Sequence, residues 1–230
     1  MKRITTIATA LCLAITSQAQ IVGSFQDGYN VKPTIEKPKE PSTTINYIRL
    51  GLNISGAHGD GAKNSKSVLL YDLVWGFQRP IVSEFYWGME FGLSARGFKF
   101  EDKGSYSGSS YKYTEKLTAH QLRLVPIQLG YRFNIGDKVK IDPHVGVFFS
   151  GDFAGSYKEE LTYSGDKDSE STSIYDINDY RYFQVGGQFG VGVWFSKFNL
   201  DFSYQFGGLD YIKDSKMKSH NFLIRLGFAL

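Results

Sequence analysis

The chain has 230 residues, with 25 glycines, 18 phenylalanines, 15 tyrosines and a single cysteine, and its formal charge is +3. That length suits one domain with a sizeable core. The charge is too small to argue for nucleic-acid binding, and one cysteine cannot build a disulfide framework.

The first residues read as an export signal. Met1-Lys2-Arg3 form a short basic region, an apolar run follows from Ile4 to Thr16, and Ser17-Gln18-Ala19 supply small residues before Gln20. The apolar run is shorter than the roughly 20 residues a membrane helix needs. Residues 1–19 are therefore expected to be a signal peptide cleaved after Ala19. Cys12 is preceded by Leu11, not by the small residue of a lipoprotein signal, so no lipid anchor is expected. Removal of Lys2 and Arg3 would leave 24 basic residues against 23 acidic ones, and the mature chain would hold no cysteine. Residues 20–44 carry Pro33, Pro38 and Pro41 among Glu36, Lys37, Lys39 and Glu40. Proline and charge oppose a packed core, so this reads as an extended periplasmic lead-in.

From Ile45 the texture changes to period-two alternation. Successive side chains of a strand point to opposite faces, so alternation marks strands with one greasy and one polar or small face. The first strand sets Ile48, Leu50, Leu52 and Ile54 against Tyr47, Arg49, Gly51 and Asn53; the second sets Leu69, Tyr71, Leu73, Trp75 and Phe77 against Asp72, Gly76 and Gln78. The third sets Phe85, Trp87, Met89, Phe91, Leu93 and Ala95 against Tyr86, Gly88, Glu90, Gly92, Ser94 and Arg96. In the fourth, Ile127, Leu129, Tyr131 and Phe133 oppose Gln128, Gly130 and Arg132, while Leu122 and Leu124 upstream are apolar in the other phase. The slip falls at Val125-Pro126, where a β-bulge would explain both the phase change and a proline that cannot donate to the ladder.

The fifth strand opposes Ile141, Pro143, Val145, Val147 and Phe149 to Lys140, Asp142, His144, Gly146 and Ser150. The sixth runs from Phe183 to Phe195, with Gln184, Gly186, Gln188, Gly190 and Gly192 on its polar side. The seventh opposes Phe198, Leu200, Phe202, Tyr204 and Phe206 to Asn199, Asp201, Ser203 and Gln205; the eighth opposes Phe222, Ile224, Leu226, Phe228 and Leu230 to Arg225 and Gly227. Connections alternate between long polar segments at 56–67, 101–112, 155–179 and 209–218 and short ones at 79–83, 134–138 and 196–197. Eight strands joined in this way predict an all-β, antiparallel up-and-down transmembrane barrel over 45–230, with short turns in the periplasm and four mobile loops outside.

Soluble barrels alternate too, but three features favour the membrane. Aromatics gather beside the short turns: Trp75, Phe77, Phe85, Trp87, Tyr131, Phe133, Phe195 and Phe198 would form an interfacial girdle. The polar face carries glycine and both charges, in Arg49, Asp72, Glu90, Arg96, Arg132, Asp142, Asp201 and Arg225, with few lysines, as a cramped ion-paired interior requires. The apolar face is too bulky on all eight strands to fit inside so narrow a barrel.

Residues 122–133 (LRLVPIQLGYRF), 186–193 (GGQFGVGV) and 225–230 (RLGFAL) resemble strands of the porin-family outer membrane protein β-barrel domain, akin to small OmpA/OmpX-type barrels. The resemblance covers about 45–230 and implies an integral outer-membrane location in a Gram-negative cell, with outer-membrane lipid and the barrel-assembly machinery as partners. Members usually end on an aromatic, whereas this chain ends on Leu230, with Phe228 two residues earlier on the same face to take that place.

Catalytic chemistry finds little support. His58, His120, His144 and His220 have no mechanistically meaningful spacing to serines or acids, and the acid run from Lys158 to Glu170 lacks the order of a calcium loop. No enzyme activity, cofactor, metal or nucleic-acid partner is expected. The favoured role is structural or surface-interacting, with Tyr106, Tyr111, Tyr113 and Tyr163 as loop contacts and a lumen closed by ion pairs. The alternatives are a passive small-solute porin and an accessory to a secretion or assembly apparatus, with a surface or periplasmic protein partner.

Overall fold

A computed structural model describes residues 43–106, 109–135 and 138–230. The expected signal peptide and nearly all of the 20–44 lead-in lie outside these. Among the described residues there are ten strands: β1 (Ile45–His58), β2 (Val68–Val82), β3 (Phe85–Tyr106), β4 (Ser109–Tyr131), β5 (Phe133–Ile135), β6 (Val139–Tyr163), β7 (Asp166–Ser173), β8 (Phe183–Phe195), β9 (Phe198–Asp210) and β10 (Lys218–Ala229). All pairings are antiparallel. Eight strands close a ring in the order β1-β2-β3-β4-β6-β8-β9-β10, with β10 returning to β1 and β4 pairing β6. The two strands beyond the expected eight are additions to this ring. Past Arg132, β5 continues the line of β4 and pairs β6 alone, and β7 folds back on the far end of β6.

Alternation decides what faces where. On β1, Leu50 is 63% exposed while its neighbour Arg49 is fully buried; on β10, Leu226 is 69% exposed beside fully buried Arg225. The greasy face therefore points outward on every ring strand and the polar face inward. Glycines on the inward face make room for rings that cross the interior: a Cβ on Gly130 would sit 2.3 Å from the Tyr86 ring, and one on Gly76 would sit 2.8 Å from that of Tyr47. The tight hairpins turn at Ser83, with φ 50°, and Ser196, with φ 56°.

The slip at Val125-Pro126 is a bulge seen from both neighbours. On the β3 side the register passes from Gly88↔Gln128 to Glu90↔Val125, and on the β6 side from Leu124↔Phe149 to Ile127↔Val147. The extra residue keeps Leu122 and Leu124 outward above it and Leu129 outward below it, with Arg123, Val125 and Gln128 buried.

The long connections differ from the sequence expectation. Segments 101–112 and 155–179 are mostly strand, not mobile loop. The β3–β4 hairpin stays paired to Tyr106↔Ser109, β4 and β6 to Tyr111↔Tyr163, and β6 and β7 from Ser156↔Ser173 to Tyr163↔Asp166. β3, β4 and β6 run 22, 23 and 25 residues, against about 9–11 for a membrane crossing. A four-stranded sheet thus rises beyond the ring. Charged residues hid it: the alternation there is of charge type rather than of greasy against polar.

Deleting Pro126 tests the bulge. With the one extra residue gone, Val125 and Gln128 stand two apart and alternation is regular, so Arg123 and Gln121 should stay inward and the variant should still give a compact, heat-shifted gel band in lipid. Loss of the band would mean that an arginine has been turned to lipid, at about 2–4 kcal/mol at mid-bilayer, and that the phase slip is not carried at this residue.

Candidate functional site

The strongest concentration of chemistry lies inside the ring. Arg49 (β1) meets Glu90 (β3) at 2.6 Å and Asp201 (β9) at 3.6 Å. Arg225 (β10) reaches Asp201 at 2.6 Å, Glu90 at 3.1 Å and Asp72 (β2) at 3.7 Å, while Arg123 (β4) reaches Asp72 at 2.7 Å. Tyr47 donates to Glu90 at 2.9 Å and Arg49 to Asn199 at 2.7 Å. Toward the short turns, Arg132 pairs with Asp142 at 3.1 Å, bonds Gln78 and lies against the Tyr86 ring; Trp194 donates to Asp142 at 2.6 Å. Toward the long hairpins, Arg96 pairs with Asp152 at 2.6 Å, stacks over Tyr211, and Tyr180 donates to Asp152 at 2.6 Å.

All eight residues expected on the interior lie in these three layers, each no more than 7% exposed. Sequence reasoning passed over two partners. Arg123 sits upstream of the bulge, so counting back in twos from Arg132 puts it on the wrong face. Asp152 lies beyond Ser150, where the fifth strand was expected to end, although its phase follows Asp142 and His144. With both included, the buried charges among the described residues are five arginines and five carboxylates.

Beyond Arg96 the inward face becomes apolar. Phe98, Leu117 and Ala119 of β3 and β4 join Ala57, Ala62, Ile174, Tyr180 and Tyr211 in a buried cluster, with Phe100, Tyr157, Ile177, Ile212 and Met217 packed on it. A cleft of about 290 Å³ opens beside this cluster.

Two of the histidines, His120 and His144, lie in separate surroundings, while His58 and His220 are in ring contact. His144 Nε2 lies 3.2 Å from Ser203 Oγ, and Asp201 is nearby, but Ser203 donates to Asp201 at 2.7 Å and accepts from Arg225 at 3.0 Å. That serine is clasped by the ion network rather than poised for attack. His120 bonds Tyr71 at 2.9 Å, and His220 stacks on Tyr204 with His58 5.8 Å away. Among the described residues no group of three His, Cys, Asp or Glu is placed to share a metal.

The aromatics beside the short turns form a contacting set. Phe77 meets Trp87 at 5.1 Å and Trp75 at 6.5 Å; Tyr131 meets Phe85 at 4.8 Å and Phe133 at 4.6 Å. Phe195 pairs Phe198 across the β8–β9 turn, and Phe198 packs on Phe228 at 5.5 Å.

The sequence model of the family described as "Outer membrane protein beta-barrel domain" matches residues 18–212. The chain belongs to that family. It is an outer-membrane β-barrel protein of the Gram-negative type, as its family is. No curated protein matches it. Among solved structures it is similar to Ail, the attachment invasion locus protein of Yersinia pestis, with 16% identity, 82% of this chain and 100% of that chain covered and a TM-score of 0.38. It is similar also to neisserial surface protein A, with 10% identity, the same coverage and a TM-score of 0.37. At those scores the likeness adds nothing to the family assignment.

The sheet that extends beyond the ring carries two anchor carboxylates. Hydrogen bonds from Lys66 and Lys99 hold Glu101 at about 2, far below its ordinary 4.5; Lys167 and then Lys158 lower Glu160 in the same sense. A depressed carboxyl contributes stability above its unfolded value and loses it as pH falls through the folded one. Carbon-detected titration of Glu101 should therefore give a midpoint near 2, with the lysine cluster intact at pH 4; a midpoint near 4.5 would contradict the pairing.

Inside the barrel, Arg225→Met would leave Asp201, Glu90 and Asp72 facing one another without their shared cation. Removing one partner of a buried pair costs about 3–5 kcal/mol. Urea unfolding in lipid vesicles should show a destabilisation of that order.

Proposed function

We propose that this outer-membrane barrel is a sealed surface platform rather than a pore or an enzyme. The observation that carries the reading is the continuation of β3, β4, β6 and β7 beyond the membrane as one paired sheet, above an interior whose five arginines and five carboxylates neutralise one another. An eight-stranded ring leaves an interior just wide enough for side chains. The three ion-paired layers fill it and the apolar cluster around Phe98, Leu117 and Tyr211 closes its outer end. A balanced interior offers no single-sign lining to select a permeant ion.

The short turns face the periplasm and the long hairpins the exterior, as in other barrels of this kind. The exterior sheet then presents Tyr111, Tyr113 and Tyr163 on one face with Asp102, Glu115, Glu159, Asp166, Asp168 and Glu170, and Tyr113 donates to Glu159 at 2.9 Å. The side chain of Tyr106, expected among these contacts, lies outside the described residues. Tyrosines set among carboxylates suit a protein partner that offers basic groups. The ring residues that handle insertion are the girdle, which meets lipid headgroups, and the last strand with Phe228, which meets the assembly machinery.

Two measurements bear on this reading. Reconstituted in planar bilayers, the protein should give no stable single-channel steps, and steady ohmic conductance would refute the seal. Removing residues 101–114 should leave a folded, heat-shifted barrel yet abolish capture of a lysine-rich peptide by the protein in nanodiscs. Unchanged capture would count against the platform.

A further inference from the structure

The exterior sheet is charged differently on its two faces. The face continuous with the interior carries six carboxylates and no basic residue on β3, β4, β6 and β7: Asp102, Glu115, Glu159, Asp166, Asp168 and Glu170. The face continuous with the lipid-facing side carries Lys99, Lys103, Lys112, Lys116, Lys158 and Lys167, with Glu101 and Glu160 as its only acids. Lys66, bridged to the edge of β3 at Lys99, adds a seventh lysine through its bond to Glu101.

The lysines come in rows across the strands. Lys99, Lys116 and Lys158 are direct cross-strand neighbours, then Glu101, Thr114 and Glu160, then Lys103, Lys112, Thr162 and Lys167. Neighbouring strands lie about 4.8 Å apart, so each row crowds like charges that repel when directly opposed. The two glutamates do not cancel this. Glu101 is shared by Lys66, Lys99 and Lys112, and Glu160 by Lys158 and Lys167. Lys116, in the middle of the first row, is exposed and has no acidic partner among the described residues. An anion from outside the chain would relieve the row.

Its height says where that anion comes from. On β3, Met89, Phe91 and Leu93 face out, and Lys99 is the first charged residue to face out beyond them. A strand tilted about 40° climbs roughly 25 Å from Met89 to Lys99, the height of an outer-membrane barrel's apolar band. On the neighbouring strands the last outward rings below the row, His120 of β4 and Phe153 of β6, lie 6.5 Å apart in the position of an outer aromatic belt. The first lysine row therefore stands at headgroup level on the lipid side, while the acid face of the same sheet is turned away from an anionic surface.

We propose that the row Lys99–Lys116–Lys158, backed by Lys103, Lys112 and Lys167, binds the phosphate groups of outer-leaflet lipid headgroups. Lysine suits this as a compact point charge that meets phosphate without a fixed fork geometry. The inference rests on the exterior placement of the sheet described above.

The test uses the full-length protein in phosphatidylcholine nanodiscs doped with bis-phosphorylated lipid A or with its dephosphorylated form, the bound lipid being counted by native mass spectrometry. The intact protein should retain the phosphorylated lipid selectively. The triple variant Lys99→Gln, Lys116→Gln, Lys158→Gln should lose on the order of a hundredfold in retention, about fivefold per lysine at an anionic surface. A variant with the same charge change at the other end, Lys138→Gln, Lys140→Gln, Lys197→Gln, should retain lipid as before, and heat-dependent gel mobility verifies that both are folded. Equal retention by the lysine-row variant, or of the dephosphorylated lipid, would overturn the proposal. So would full displacement by millimolar inorganic phosphate, which would mark a free-anion site. Ser105→Cys, labelled on intact cells with an impermeant maleimide, tests the exterior placement separately: an unlabelled cysteine with selective lipid retention would sink the orientation and leave the lysine rows as a headgroup site.

Discussion

Hydrocarbon offers the backbone no hydrogen-bond partner, so a sheet that enters a membrane must pair both of its edges. Here β1 meets β10 over the full run from Tyr47↔Ala229 to His58↔Lys218, and β4 meets β6 on the other side of the ring. Everything else in the barrel is conditioned by that closure. With eight strands the ring is narrow, and with alternating side chains half of all strand residues must go inside it. The inward face can then hold only residues that tolerate burial together, which explains its glycines, its crossing tyrosines and its matched charges.

Matched charge is the form that burial imposes. An isolated ion in such an interior would be prohibitively costly, and an ion pair is tolerable only if its remaining donors and acceptors find partners too. Arginine fills the basic side of every buried pair among the described residues, since its planar fork can meet two carboxylates at once, as Arg225 does with Asp201 and Glu90. No lysine is buried among the described residues, and Lys99, Lys116 and Lys158 lie in one row on the face opposite the interior. The division between the two basic residues follows the division between dry interior and wet surface.

The period-two rule does not stop at the membrane. On β3, β4 and β6 the same register that sends Leu122 outward and Arg123 inward continues into Lys116 outward and Glu115 to the opposite face. Within the bilayer the alternation sorts apolar from polar; above it, where both faces are wet, it sorts positive from negative. The sheet beyond the ring is therefore an extension of the barrel wall, and its face polarity is set by the phase of the strands within the ring.

Greasy–polar alternation, short turns and the inward list from Arg49 to Arg225 were legible in the sequence, because burial in a narrow ring and exposure to lipid select residue types one by one. The bulge at Pro126 was legible as well, since a proline and a phase slip coincide there. Arg123 escaped because the slip is counted across, and Asp152 because the expected strand ended early. The length of β3, β4 and β6 escaped because charge alternation in segments such as 158–170 has the composition of a solvated loop, and no local signal separates the two. Which carboxylate each arginine meets belongs to the tertiary structure alone. So does the pairing of Lys99, Lys116 and Lys158, residues far apart in the chain that only cross-strand register brings into one row.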